Sequence, residues 1–571
     1  LLKAVLIFAI YFSVVIPNAV MAETVAEIAN KQAQYLQQLE QERTKNDLDE
    51  ARKRLDAVKG IDTDSLQVKN KVPDIGITCR EINTIIIDGA PELSNSTRKS
   101  ISQKFENKCL KISDMERILG EVTKDYIDRG FVTTRAYLPP QDLSQGTLKI
   151  LVIEGRVEKI IINDGNASSV SIRNVLYGVE DDLLNIRDLE QGIDQINGLA
   201  SNNAMLDIRP GEKVGKSVVV IHNRPTLPYH FSFSHDNQGS ESTGKHQTGV
   251  TASIDNLLNF NDSVMLTYRA ALFNEDTRSS SESRSIFYNI PLGYSTLSFG
   301  SNYSEYQSIL KLDSGLELLS SGTNQSDFIS LSRVLFRDQI TKASVSATLT
   351  AKESKNYLSG QLLEVSSRRL SVLDIDARLS TIVSGGMLTL TLGYSEGLNM
   401  MSALIDQDNL PDWAPRAQYS KLKAGLNYMR SFVVLDKRAN FSTQITAQKS
   451  NDPLYGSEQI SIGGIYSVRG FVNNTLSGDD GYYCRNEVSL YQPISLLNQN
   501  ITTRFYVGYD FGQVRNGPNG APEGDMSGTV AGISTNWKGA SIELFSTLPL
   551  TLPSYMIKES LQTWFRASYA F

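Results

Sequence analysis

The side chains able to do acid–base, metal or phosphate chemistry are few in this chain, and their spacing argues against each use in turn. Its four histidines, His222, His230, His235 and His246, carry no metal-ligand spacing. The adjacent acids Asp181-Asp182 and Asp479-Asp480 sit in turn-like segments and read as solvated loops rather than a catalytic carboxylate pair. Gly211-Glu212-Lys213-Val214-Gly215-Lys216-Ser217 has the outline of a phosphate-binding loop. That loop needs four residues between its glycines and a helix after it, whereas here three intervene and a β-branched strand follows, so the segment is a hairpin turn. No catalytic residue, metal site or cofactor is expected, and the chain does not read as an enzyme. A net charge of −7 over 571 residues leaves no concentrated basic surface, so no nucleic-acid partner is expected either.

What remains is chemistry of structure and passage, and it depends on where the elements lie. Residues 1–22 begin with Lys3, run through an apolar stretch from Ala4 to Ile16 and reach the small-residue end Val20-Met21-Ala22, the pattern of a secretory signal peptide. An exported chain meets an oxidising compartment, where Cys79 and Cys109 pair and the distant Cys484 is left as a small strand residue with a free thiol. No later segment offers the roughly 18–20 consecutive apolar residues of a spanning helix, so any passage through a membrane must be made by strands.

From Glu23 to Lys59 the apolar residues Val25, Ile28, Ala29, Leu36, Leu39, Leu48, Ala51, Leu55 and Val58 fall at helical spacing. A helix of about 30 residues is roughly 45 Å long, enough to thread a membrane barrel whose apolar band is about 25 Å tall. The same spacing suits a solvated amphipathic helix. Residues 60–73, bounded by Gly60 and Pro73, read as a linker. Two units of like order follow, 74–153 and 154–226. The first has a strand at Ile82–Ile87, helices at Ser94–Phe105 and Asp114–Asp128 with Ser113 as N-cap and Gly130 as terminator, and strands at Thr133–Leu138 and Thr147–Ile153. The second has a strand at Val157–Ile162, helices around Ser171–Tyr177 and Arg187–Asn197, and strands at Met205–Pro210 and Ser217–His222. Both are β-α-α-β-β modules, an α+β region ahead of an all-β one.

From residue 227 to 571 the texture becomes short alternating segments, such as Leu388, Leu390, Leu392 and Tyr394 between Thr389, Thr391 and Gly393. Such alternation over about ten residues marks a transmembrane barrel with a wet interior. Phe565, Ala567, Tyr569 and Phe571 share one face, as a closing strand at an aromatic girdle would. Sixteen strands divide the region plausibly, and fourteen or eighteen also would. Parity then sorts one strand: Phe505, Val507, Tyr509 and Phe511 meet lipid, so Tyr506, Gly508 and Asp510 point into the lumen.

This order of parts resembles the transporters of two-partner secretion (TpsB-type), a branch of the Omp85 superfamily of barrel-assembly insertases. Gly463-Gly464 followed by Val468-Arg469-Gly470-Phe471 looks like the family's signature in a loop folded back into the lumen, around 461–480. Asp510 and Gly512 are similar to the strand motif whose acid meets that arginine, and Asp236, Asn237, Gly239, Thr243 and Gly244 resemble the first barrel hairpin. The resemblance implies that the paired modules are POTRA domains, that the barrel has sixteen strands and lies in the outer membrane, and that residues 23–59 plug the pore. It further implies a TpsA-type secreted partner bound unfolded (a cytolysin, adhesin or contact-dependent toxin), insertion by the barrel-assembly machinery with Phe571 as C-terminal signal, and contact with outer-membrane lipid. The alternative within the superfamily is an insertase of other membrane proteins.

Overall fold

The computed structural model describes residues 25–56, 79–165, 168–274, 276–312, 314–496, 499–517 and 522–571. The expected signal peptide and linker lie outside the described residues. Helix α1 runs from Val25 to Asp56. It is followed by two small α+β modules and a closed barrel of sixteen long antiparallel strands, beginning at Tyr229–Asp236 and ending at Gln562–Ala570, with one further pair-length strand, Gln361–Leu362.

The first module packs α2 (Asn95–Phe105) and α3 (Ile112–Asp128) on a sheet ordered Thr84–Asp88, Thr147–Ile153, Arg135–Tyr137. Ile101, Ile118, Val122 and Tyr126 meet Leu148 and Ile150 in its core. The strand expected at Ile82–Ile87 is two: Arg80–Ile82 pairs with Lys108–Leu110, and Thr84–Asp88 joins the main sheet. The division is made at Asn83, whose N–H turns to Gly146. The expected N-cap, Ser113, is already inside α3, because the Asp114 carboxylate reaches back to the N–H of Lys111 (3.0 Å) and starts the helix earlier. Gly130, at φ +96°, ends α3 in a conformation that favours glycine. Asp125 accepts from Ser94 Oγ (2.5 Å) and Thr97 Oγ1 (2.7 Å). Burial opposes its ionisation, but these hydrogen bonds outweigh burial and hold the carboxyl below the usual aspartate range.

Cys79 and Cys109 are bonded, with Cα atoms 5.2 Å apart, joining the two strands of the short outer sheet, Cys79 just before Arg80 and Cys109 within Lys108–Leu110. Closing a loop of 30 residues stabilises by about 3–4 kcal/mol in the chain-entropy model, so Cys79→Ser is expected to speed hydrogen exchange of Thr84–Asp88 in the intact chain several-hundredfold. Unchanged exchange there would show the bond to be dispensable.

The second module places α4 (Ile186–Asn197) on a sheet ordered Arg156–Asn163, Lys216–His222, Met205–Pro210. Its core joins Val157, Leu184, Ile186, Leu189 and Ile196 to Val219 and Ile221. The helix expected at Ser171–Tyr177 is a series of turns. Its polar groups go to the barrel instead: Asn261 Nδ2 donates to the Ser171 carbonyl (2.5 Å), Ser171 N–H donates to Asn261 Oδ1 (3.1 Å), and Asn174 donates to Pro291 (2.6 Å). Gly211 to Ser217 is a hairpin turn, with Gly211 N–H donating to the Lys216 carbonyl (2.9 Å).

In the barrel, alternation sorts side chains as the pleat requires. Val507 is 60% exposed on the outer face while its neighbour-but-two Asp510 has no exposure at all. The barrel closes where Arg566 to Ala570 pair antiparallel with Asp236 to Ser232, a short register beside those of the other strands.

Candidate functional site

Three assemblies occupy the barrel and its mouth. The first is the loop between strands Lys437–Ser450 and Asp480–Leu496, which folds into the lumen and carries its own small hairpin, Ile460–Ile462 with Leu476–Gly478. Arg469 lies at its tip. Its Nε donates to Asp510 Oδ2 (2.6 Å), its Nη2 to Asp510 Oδ1 (2.9 Å) and its own N–H to Asp510 Oδ2 (3.1 Å), while Nη1 reaches Glu487 (3.1 Å). The wall is cut to receive it. A Cβ on Gly508 would stand 2.8 Å from Nη2, and one on Gly528 would drive into the Arg469 carbonyl oxygen. Gly470 adopts φ +138° and passes against Pro549, leaving Val468 and Phe471 buried with Ile462, Leu476, Tyr483 and Met526. Gly512 lets Ile462 approach the wall, since a Cβ there would lie 3.1 Å from Ile462 Cγ2.

Two further anchors of the loop carried no legible motif. Glu458 meets Lys352 (2.6 Å), Tyr419 OH (2.6 Å) and Lys421 (3.4 Å). Glu559 accepts from the consecutive N–H groups of Val472, Asn473 and Asn474 (2.8, 3.1 and 2.8 Å).

The second assembly is α1, which lies inside the barrel. Ala29, Ala33 and Leu36 are buried, and so are the polar Gln38 and Arg43. A polar helix suits this site because the lumenal wall is itself polar. Tyr35 OH donates to Val472 (3.0 Å), Gln38 bridges Gly456 (2.7 Å) and Ser477 (2.9 Å), and Arg43 meets Gln238 (3.0 Å), with Asp47 3.7 Å from Arg269. Gln238 belongs to the first-hairpin motif. There Asp236 Oδ1 accepts from Gln238 N–H (2.9 Å), Gly239 N–H donates to Lys245 (2.9 Å), and Thr243 and Gly244 turn the chain. Asn237 clasps the closing strand, donating to Thr563 (3.0 Å) and accepting from Phe565 N–H (2.8 Å).

The third is the junction of the second module with the barrel's short turns. Arg337, almost wholly buried, donates to Asp194 (2.6 Å), Glu190 (3.3 Å) and Gln191 (3.3 Å) of α4, and Arg187 holds the far side of Glu190 (2.9 Å). Tyr294 OH donates to Asp188 (2.6 Å), whose carboxyl burial nonetheless pushes up. Of the other residues considered from the sequence, Cys484 is a buried free thiol on the outer face beside Asn486, and His235 stacks on His246 at 5.7 Å. Among the described residues no cluster of three or more metal-binding side chains occurs.

Comparison with known proteins fits this arrangement. A family model described as haemolysin secretion/activation protein ShlB/FhaC/HecB matches residues 215–535, a ShlB-type POTRA domain matches 81–155, and a second POTRA domain matches 156–210. The chain is 31% identical over 497 residues to the outer membrane transporter CdiB of Escherichia coli, covering 86% of this chain and 83% of that one. It is 30% identical over 504 residues to the hemolysin transporter protein ShlB of Serratia marcescens, covering 86% of each. The solved structure of CdiB from Escherichia coli superposes with a TM-score of 0.86 at 28% identity, over 96% of this chain and 100% of that one. With more than half its length matched by the family model and such relatives along most of the rest, the chain belongs to the ShlB/FhaC/HecB family of haemolysin secretion/activation proteins.

Proposed function

We propose that this protein exports an unfolded TpsA-type partner across the outer membrane, receiving it at the second POTRA domain and passing it through a lumen that α1 closes at rest. The observation that carries the reading is the position of α1 inside the barrel. It is held there by side-chain hydrogen bonds to the infolded loop and rim, and by no strand pairing. It also buries Asn30 Oδ1 and Gln32 Oε1 without a protein hydrogen-bond partner, each costing about 1–3 kcal/mol unless hydrated. An element that pairs with no strand can leave without opening the barrel wall.

Recognition is favoured at one sheet edge over the other. On Arg156–Asn163 the outer N–H of Ile160 is taken by Glu180 (2.9 Å), and Val157 is covered by Asp181 and Asp182. On Met205–Pro210, Gly211 and alternate residues face the neighbouring strand, so the main-chain groups of Leu206 and Ile208 face outward, and Pro210 stands where no N–H is needed. An extended chain adds to such an edge through main-chain hydrogen bonds with little demand on sequence. The Met205 end leads toward the barrel, since Ser201 N–H donates to Asp255 (2.8 Å) at its mouth. The partner's folding outside supplies the drive. The stacked rings of Phe571 with Phe231 (5.8 Å) and Phe233 (6.1 Å) form an apolar patch facing lipid at the closing strand, suited to the barrel-assembly machinery.

Planar-bilayer conductance tests the plug. The intact chain is expected to give small, flickering events, and a chain lacking residues 23–59 large and steady ones. Equal large conductance from both would remove α1 from its role, and silence from both would favour an insertase.

A further inference from the structure

Residues 399–419 join strands Gly386–Leu398 and Ser420–Val434 at the end of the barrel opposite the POTRA domains. The backbone of this loop is firmly held. The Asp406 carboxylate accepts from Ala417 and Gln418 N–H (2.8 and 2.9 Å), and Gln418 accepts from Asp406 N–H (2.7 Å) and donates to Leu404 (3.0 Å). Leu404 N–H in turn donates to Arg369 (2.8 Å), and Ser371 donates to Met400 (2.8 Å). Met401 and Ser402 lie at φ +53° and +60°, a left-handed conformation that side-chain-bearing residues keep only where their surroundings impose it.

On this ordered frame Met400, Met401, Leu404, Ile405 and Trp413 are all exposed, Met401 at 54% and Trp413 at 59%. A fixed loop gains nothing in its own fold by showing large apolar side chains to water, and such display marks an interaction surface. Its chemistry selects the occupant. Asp406, Asp408 and Asp412 stand against the single cation Arg416, an acidic excess unsuited to the phosphate-bearing lipid of the outer leaflet. The loop also stands at the exit of the lumen. Arg416 N–H donates to Pro453 (2.9 Å) and Tyr419 OH to Glu458 (2.6 Å), both in the infolded loop. Adjacent methionines adapt to many apolar surfaces, and an exposed tryptophan supplies a strong anchor.

We infer that loop 399–419 is a docking platform for apolar, non-acidic segments of the exported polypeptide as it leaves the lumen, an inference that rests on the export reading above. The emerging chain exposes the apolar side chains of its future core, and the platform would hold them beside the pore while folding proceeds.

The test uses the full chain in nanodiscs, with reduced, carboxamidomethylated ribonuclease A, a basic chain whose alkylation adds no charge, as a permanently unfolded probe. A benzophenone amino acid replaces Trp413 or, as control, Ser314 in an exposed turn at the same end of the barrel. Crosslinking at 413 is expected to exceed that at 314 about tenfold, and to fall by a similar factor in Met401→Ser/Ile405→Ser, the range of an anchor residue's loss. Both substitutions are at exposed positions, and unchanged heat-modifiable mobility shows the barrel intact. Equal yields at 413 and 314 overturn the platform, as does transfer of the 413 crosslink to lipopolysaccharide supplied as vesicles. Conductance of the helix-deleted chain gauges export separately, so a flat crosslinking result beside an opened pore removes the platform alone.

Discussion

Arg469→Ala is expected to destabilise the folded barrel by about 3–5 kcal/mol, because it leaves a carboxylate with no exposure, Asp510, deprived of its cation. Two parallel guanidinium bonds and the Arg469 N–H converge on that acid, and only the last survives the substitution. Lysine is not an adequate replacement, since a single ammonium cannot span both carboxylate oxygens as the planar fork does. The measurement is the temperature at which the purified protein loses its compact mobility on gels, alongside protease cleavage within 451–479. Asp510→Ala should be nearly as damaging, and the double variant less damaging than the sum, because no charge is then stranded. Strictly additive losses would mean that the pair contributes nothing beyond its separate packing. The same loop holds α1 through Gly456, Val472 and Ser477, so the variant should also raise the conductance of the intact chain.

The second large effect belongs to the POTRA junction. Arg337→Ala takes the buried cation away from Glu190 and Asp194, beside which Arg187 and Lys342 remain at 2.9 and 3.7 Å. A cost of about 3 kcal/mol to docking, the lower end for a broken buried pair, shifts the bound-to-swung ratio by roughly a hundredfold. Spin labels at Tyr177 and Leu435, both highly exposed, one on the module and one on a periplasmic turn, read this as a broadened distance distribution. An unchanged distribution would show that the asparagine contacts of Ser171, Asn174 and Asn261 suffice alone.

Parts of this arrangement were legible in the residues, and the difference between those parts and the others is physical. The inward direction of Asp510 follows from a period of two along one strand, and needs no knowledge of its neighbours. Glu487, the other acid on Arg469, was not legible because it lies on Asp480–Leu496. Its place opposite Gly508 depends on a register between strands that the loop between them leaves open. Glu458 and Glu559 were missed for the same reason, as loop acids whose partners come from distant segments. Parity set the direction of Gly508, but its role, like that of Gly528, gave no signal, since a strand glycine carries the same letter whether it marks a bend or makes room for an arginine. Ser171–Tyr177 has helical spacing, yet its polar groups found the barrel's Asn261 and Pro291, contacts outside any local window. In α1 the amphipathic pattern was plain while the surface it covers was not. A polar lumen buries glutamine and arginine as readily as leucine, so apolar spacing alone could not separate a plug from a solvated helix.

The seam at which the barrel closes has a consequence for how the protein is made. Every other junction joins neighbouring barrel strands close in the chain, the longest interruption being the infolded loop 451–479. The pairing of Arg566–Ala570 with Ser232–Asp236, fastened by Asn237, instead brings together segments separated by more than half the polypeptide. Contacts of such sequence separation form late and slowly, after the entropy of the intervening loop has been lost. Assembly should therefore pass through an open, curved sheet with two unsatisfied borders. That species is the one most exposed to aggregation, and the one a cellular catalyst of insertion has most reason to hold.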